Sequence, residues 1–248
     1  MIQLGNRGKF FLLISLALIL LLSLYFPPTA FLWERIDVAL FTTLNSYIIA
    51  HPIQQVFWAA ASIKLTDIFG ALFLFGFFLL YVFEVEGIER RKRVRELLFC
   101  MVWFEIGMLL SKQVLTPYLI QHGFSRHSPT ETLDHSFRLS LVLPWLKVKD
   151  SSLFSFPADH GAIVLQWCGF LWFFGSWQRG LLARCFSTIF LLPRLISGAH
   201  WGSDLFVGSL AWVLLLTSLA LFSPMYSWTM RALKYLIPEN ENLGKEST

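Results

Sequence analysis

The chain has 248 residues, of which 56% are hydrophobic and only 15% charged, with a formal net charge of +4. That profile excludes an ordinary soluble domain and fits a polytopic membrane protein. The net charge is small, so the placement of the charges carries more information than their sum.

The N-terminal run at residues 10–26 is apolar and follows Arg7 and Lys9. It nearly reaches spanning length and lacks a small-x-small cleavage site, so it reads as an uncleaved first membrane helix. Residues 27–65 then form an outer segment. Within it, "HPIQQVFWAAASIK" predicts a shallow interfacial helix with Trp58 at headgroup level. Five further apolar runs follow at about 66–83, 97–120, 162–177, 181–197 and 205–222. The expected fold is therefore all-α: one integral-membrane domain over residues 1–248, built as a bundle of six transmembrane helices. The three cysteines, Cys100, Cys168 and Cys185, lie in or beside apolar runs. Their number and spacing argue against disulfides or zinc, and they read as small buried hydrophobes.

Six spans put the basic clusters on one face. Arg7 and Lys9, the "RRKRVR" stretch before residue 97, Arg179 and Arg184, and Arg231 and Lys234 all fall on the side of the N-terminus. The positive-inside rule makes that side cytoplasmic. The position of "RRKRVR" between two spans explains it without any nucleic-acid partner.

The opposite face collects a different set of residues. Lys112 and Arg126 come from the end of the third run and the loop after it. "FPADHG" brings Asp159, His160 and Gly161 to the start of the fourth. "PRLISGAHWGSD" brings Arg194, His200 and Asp204 between the fifth and sixth. Three separated segments thus deliver cations or imidazoles to one membrane face. His200 and Asp204 are four residues apart and would share a face of a helix. A carboxylate on one imidazole nitrogen fixes the tautomer and leaves the other nitrogen as a lone-pair donor, as a nucleophile requires. His160 at a helix start sits where free N–H groups and the dipole favour a phosphate, and it can protonate a leaving oxygen. Asp159 reads as the cap of that helix, and Gly198 as a close turn beneath the phosphate. These parts suit phosphoryl transfer through a phosphohistidine. The spacing fits no familiar metal site, so no metal or other cofactor is expected.

The three segments resemble the motifs of the type 2 phosphatidic acid phosphatase superfamily. Arg194, His200 and Asp204 match its third motif. Pro157 and His160 match the second, with Ala158 and Asp159 in place of Ser and Gly. In the first, Arg126 is followed by His-Ser-Pro, and Lys112 lies further upstream than that motif's lysine. "F-P-x-D-H-G", "R-x-S-P-T" and "G-A-H-W-x-x-D" are similar to the branch that phosphorylates lipid A. That resemblance implies a six-helix fold in a bacterial inner membrane with its site facing the periplasm. It also implies transfer of phosphate from undecaprenyl diphosphate to the 1-phosphate of lipid A. His200 would be nucleophile, Asp204 its support and His160 the acid, with Arg126, Arg194, Lys112 and Gly161 binding the phosphate. Arg138, Lys147 and Lys149 in the outer loop are candidate acceptor contacts, whereas His51, His122, His127 and His135 read as solvated. A plain phosphatase acting on undecaprenyl diphosphate, phosphatidylglycerol phosphate or a lipid A phosphate would use the same residues. A transporter is disfavoured, because the charges cluster at one face and not at the midplane.

Overall fold

The structure, a computed structural model, describes residues 5–238, and no strand occurs among them. Helix α1 (Asn6–Ser23) is followed directly by α2 (Pro27–Ile49), α3 (Pro52–Ala61), α4 (Lys64–Phe83) and α5 (Gly87–Leu110). A π-helical turn at Ser111–Leu115 joins α5 to α6 (Thr116–Gln121). Pro117 cannot donate to the carbonyl four residues back, and such losses are relieved by widening the helix. Two single-turn helices, α7 (Pro129–Thr132) and α8 (Leu139–Val142), punctuate the long loop. The chain then runs through α9 (Asp159–Phe170), which ends in a second π turn, and α10 (Trp177–Ile196). A third π turn at Asp204–Gly208 opens α11 (Ser209–Phe222), and α12 (Pro224–Leu236) follows.

Four helical segments are long and apolar enough to cross a membrane: Asn6–Ser23, Lys64–Phe83, Gly87–Gln121 and Asp204–Phe222. The expected six are reduced to four by composition, not by loss of helix. The segments at 162–177 and 181–197 are helical, but α10 carries Arg179, Arg184 and Arg194 along its length. Helix α9 has only 12 residues before its π turn and includes Asp159, His160 and Gln166.

Two boundaries differ for local reasons. "RRKRVR" belongs to the first turns of α5 and not to a loop, because long unbranched side chains are good helix formers. The outer segment expected at 27–65 is almost wholly helical. A helix is present there as α3, but α2 before it is a full 23 residues. Its buried side chains Asp37, Phe41, Asn45 and Ile48 recur at helical spacing, so one stripe of α2 faces the protein.

Helix directions alternate between two ends. At one end, Lys9 lies over the Phe222 ring, the Tyr81 hydroxyl donates to Glu96 at 2.5 Å and to the Phe174 carbonyl, and Arg179 pairs with Glu84. At the other end lie the start of α4, the start of α9, the end of α10 and the π turn before α11. Between the ends, Phe78, Phe99, Trp103, Phe170 and Leu171 form a continuous apolar core. Helix α1 packs on α11, while Phe11, Leu18, Ile19 and Leu22 on its outer side stay exposed. An uncovered apolar band of this kind suits hydrocarbon and not water.

Candidate active site

Helix α9 starts the site. Ala158 is its N-cap residue, so Asp159, expected as the cap, lies one position inside. The Asp159 carboxylate accepts the His160 backbone N–H at 2.9 Å and its Nδ1–H at 2.7 Å through the same oxygen. Gly161 is needed for packing: a Cβ there would stand 2.5 Å from the Ser209 Oγ and 2.9 Å from Leu205. Its absence lets α9 lie directly on the start of α11, where Ser209 donates to the Ala158 carbonyl at 2.7 Å.

The second half comes from the end of α10. Gly198 turns the chain there with φ +82°, and a Cβ would meet Thr130 and Phe41 within 2.7 Å. The turn expected at Gly198 is present, and what approaches it is protein. The backbone N–H groups of Ala199 and His200 return to the Arg194 carbonyl. His200 is buried, 4% exposed, with its ring centre 6.1 Å from that of His160.

The two rings differ in their partners. His200 Nδ1 is 2.8 Å from the Ser155 carbonyl oxygen. A carbonyl only accepts, so Nδ1 carries the proton and Nε2 the lone pair. That Nε2 is buried without a hydrogen-bond partner, and the nearest carboxylate oxygen, from Asp159, is 3.9 Å away. His160 has a carboxylate at each nitrogen: Asp159 at Nδ1, 2.7 Å, and Asp67 at Nε2, 3.3 Å. Nε2 also lies 3.5 Å from Nη2 of Arg194, which can only donate, but the Asp67 carboxylate is the nearer of the two, and a carboxylate beside each nitrogen favours the imidazolium.

The titration behaviour follows. Burial pushes His200 down to about 4, against a smaller upward pull from Asp159. Burial also pulls His160 down, but its hydrogen bonds to Asp159 and Asp67 outweigh that and leave it raised. Burial pushes the Asp159 carboxyl up. The hydrogen bond from His160 and the charges of His160, Lys149 and His200 reverse this and hold it well below the carboxylate range.

Asp204 does not pair with His200. Residues 200 and 201 precede the helix, so the four-residue spacing does not stack their side chains. Asp204 instead accepts the Trp201 N–H at 2.9 Å and Arg126 at 2.8 Å. Arg126 also reaches Asp37 on α2 and the Ser203 hydroxyl, each at 2.6 Å, and its guanidinium lies 5.3 Å from the Trp201 ring centre. Arg194, only 1% exposed, bonds both oxygens of Asp67 on α4 and donates to the Ser62 carbonyl at 3.0 Å. Each arginine expected to grip an anion thus already faces carboxylates, Asp37 and Asp204 for one and Asp67 for the other. Neither Asp37 nor Asp67 was anticipated. Their one signal is an acid within a largely apolar helix.

Lys112 is exposed on the π turn after α5, where it makes no hydrogen bond or ion pair among the described residues. The lysine whose charge reaches the site is Lys149, which acts on Asp159 and His200. Arg138 is engaged by Glu131 and Asp150. The donor atoms of Asp159, His160 and His200 lie within 4.8 Å of one another, as a small cation would require. Asp159 and His160 Nδ1 are already committed to each other by a hydrogen bond, and His160 Nε2 lies between the Asp67 carboxylate and Arg194.

An all-helical chain with apolar spans that gathers two unlike histidines and two arginines at one end defines a membrane protein equipped for anion chemistry. Comparison with curated proteins narrows the class. The chain is 29% identical over 221 residues to lipid A 1-diphosphate synthase of Escherichia coli (strain K12), covering 89% of this chain and 90% of that protein. It is a relative of that enzyme, in agreement with the motif resemblance. No family model matches the chain, and no solved structure matches it.

Proposed function

We propose that the chain is a single-domain membrane phosphotransferase, moving a phosphoryl group from undecaprenyl diphosphate to the 1-phosphate of lipid A through a phosphohistidine at His200. The observation that carries this reading is the buried, unpartnered Nε2 of His200 beside a carboxylate-clamped His160. One imidazole is held as a lone-pair donor and its neighbour as a proton donor, which is the division of labour that nucleophilic phosphoryl transfer needs.

The steps balance as follows. His200 Nε2 attacks the terminal phosphorus, and the bond from phosphorus to the bridging oxygen breaks. The His160 proton moves to that oxygen, and undecaprenyl phosphate leaves. The phosphorylated ring keeps its Nδ1–H on the Ser155 carbonyl, and its positive charge faces Asp159. Lipid A 1-phosphate then attacks phosphorus through one oxygen, returns its own proton to His160 when that oxygen carries one, and frees His200. Attack must be in line, so both lipids use the side opposite Nε2 in turn. Arg194 and Arg126 are the cations available to the phosphoryl oxygens, and Lys149 offsets repulsion between two anions. An apolar cleft of about 300 Å³ between α4, α9 and α10 reaches Asp67 and His160 past Gly70, Leu74 and Phe190. It suits the chain of a lipid whose phosphate lies at the histidines.

The alternation of α1, α4, α5, α9, α10 and α11 between the two ends supports a reading with six crossings. Of the arginines that disqualify α10 by composition, Arg179 lies in its first turn and Arg194 is buried near its end, while Arg184 is exposed two turns in, where a long side chain can snorkel to the interface. Arg7, Lys9, the α5 cluster, Arg179 and Arg184 lie in the starts of helices on the side away from the histidines. The positive-inside rule then puts the histidines at the periplasmic face of a bacterial inner membrane. The decisive assay uses donor labelled in its terminal phosphate, with and without lipid A, in detergent. Label moving to lipid A is expected. Label appearing only as inorganic phosphate would make the chain a plain lipid phosphatase.

A further inference from the structure

The chemistry above leaves one carboxylate of the cluster without a role. Asp67 stands in the first turn of α4, in a segment the motif resemblance does not touch. It is the point where three helices meet: both its oxygens bond Arg194 of α10, and one of them lies 3.3 Å from Nε2 of His160 on α9. We propose that Asp67 is a positioning residue of the active site, locking the phosphate-facing arginine to the acid histidine and, with Asp159, keeping that imidazole doubly protonated. This rests on the phosphotransfer reading for its consequence in catalysis, though not for the pairing itself.

Three features support the assignment. Arg194 is almost fully buried, and a buried guanidinium needs a counter-charge. The carboxylate of Asp67 supplies it, while the Ser62 and Lys149 carbonyls take the other Nη, at 3.0 and 3.4 Å. Second, Asp159 already fixes Nδ1 of His160, so the group at Nε2 decides whether the ring is charged. Third, Asp67 and His160 together line the head of the apolar cleft with Lys64. A lipid phosphate arriving along that cleft meets the Nε2–H where Asp67 now holds it. The charged groups facing His160 are Asp159 on its own helix, Asp67 and Lys64 on α4, and Arg194 on α10. His200 and Lys149 face it from the loops. Among these, Asp67 alone touches both Arg194 and the imidazole.

The test uses the full-length protein in detergent. Replacing Asp67→Asn should lower kcat about 10- to 100-fold, as loss of positioning does, and should leave KM for the lipid diphosphate much less affected. The alkaline limb of the rate profile should move to lower pH, because His160 then gives up its proton more easily. Asp67→Glu keeps the charge and should hold the limb near its parental pH. A role in folding alone would lower activity by one factor at every pH, and an unmoved limb in Asp67→Asn overturns the proposal.

A second reading needs neither a variant at position 67 nor turnover. In histidine-selective ¹⁵N spectra, the signals lost in His160→Gln identify His160. At pH 7 both of its nitrogens should be protonated, and a neutral ring there overturns the proposal. If the ring is charged but neither transfer nor hydrolysis of lipid diphosphates occurs, the functional reading falls and the pairing stands.

Discussion

His160 and His200 lie 6.1 Å apart, ring centre to ring centre, yet their surroundings are opposite. His200 has a neutral carbonyl at one nitrogen and no partner at the other, in a setting that favours the uncharged ring. His160 has a carboxylate at each nitrogen and favours the charged one. The same side chain is thus tuned in two directions by burial and by two acids, without any change in the chemistry of the imidazole. The difference teaches how a site rich in carboxylates can serve an anionic substrate. Asp37 and Asp204 face Arg126 and Asp67 faces Arg194, so the arginines' charge is already met and the proton on His160 supplies what they alone do not.

The largest expected effect comes from erasing the His200 side of that contrast. His200→Asn keeps a polar group near the Ser155 carbonyl but removes the nucleophile. Transfer and donor hydrolysis should both fall by about 10⁴-fold or more. Trapping with labelled donor followed by alkaline-stable phosphohistidine analysis should give a signal in the parent and none in the variant. A variant that still retained label, or that kept full activity, would place the nucleophile elsewhere.

Erasing the His160 side should cost less and should depend on the leaving group. His160→Gln is expected to slow transfer from a lipid diphosphate by about 10²- to 10⁴-fold. An aryl phosphate, whose leaving oxygen needs no proton, should lose far less. Equal losses on both substrates would remove His160 from the acid role.

The acid shared by the two rings gives a sharper comparison. His160 is raised, so its acid form is present below its folded pKa and is lost as pH rises through it. His200 is lowered to about 4, so its lone pair is present above that value and is lost as pH falls through it. Activity should therefore occupy the window between. Asp159 raises both rings, so Asp159→Asn should move both limbs of the profile to lower pH. Limbs that close towards each other would show that Asp159 acts on only one ring.

Much of this contrast was within reach of the sequence, and its pairings were not. The apolar runs and the three polar segments are local features, and hydropathy with spacing finds them. What failed was whatever depends on a partner far along the chain. Arg126 meets Asp37 across 89 positions, and Arg194 meets Asp67 across 127. Spacing of four residues suggested His200 with Asp204, but that inference presumes helix, and the helix begins just after His200. Helix α2 was read as an outer segment because Glu34, Arg35, Asp37 and Asn45 interrupt its apolar residues. Two of those interruptions lie on the buried stripe, where Asp37 meets Arg126 and Asn45 bonds the Phe137 backbone. The two missing spans are a matter of charge along α10 and shortness in α9.

The smallest effect separates two lysines. Lys112 was the lysine offered for the first motif, although it lies further upstream than the motif's spacing, and it is exposed on a π turn and makes no ion pair among the described residues. The folded loop instead brings Lys149 close enough to act on Asp159 and His200, while its backbone bonds to Ser62, Ser197 and Arg194 hold the loop in place. Lys112→Ala should therefore leave kcat/KM within about twofold. Lys149→Ala, which removes one exposed charge worth at most about 1 kcal/mol in such a setting, should lower it by about two- to fivefold. Added salt screens that charge, so the Lys149 deficit should shrink as ionic strength rises. The measurement is kcat/KM for both variants at low and high salt. A larger loss at Lys112 than at Lys149 would return the phosphate-binding role to the end of α5 and require the loop from 122 to 158 to rearrange when substrate binds.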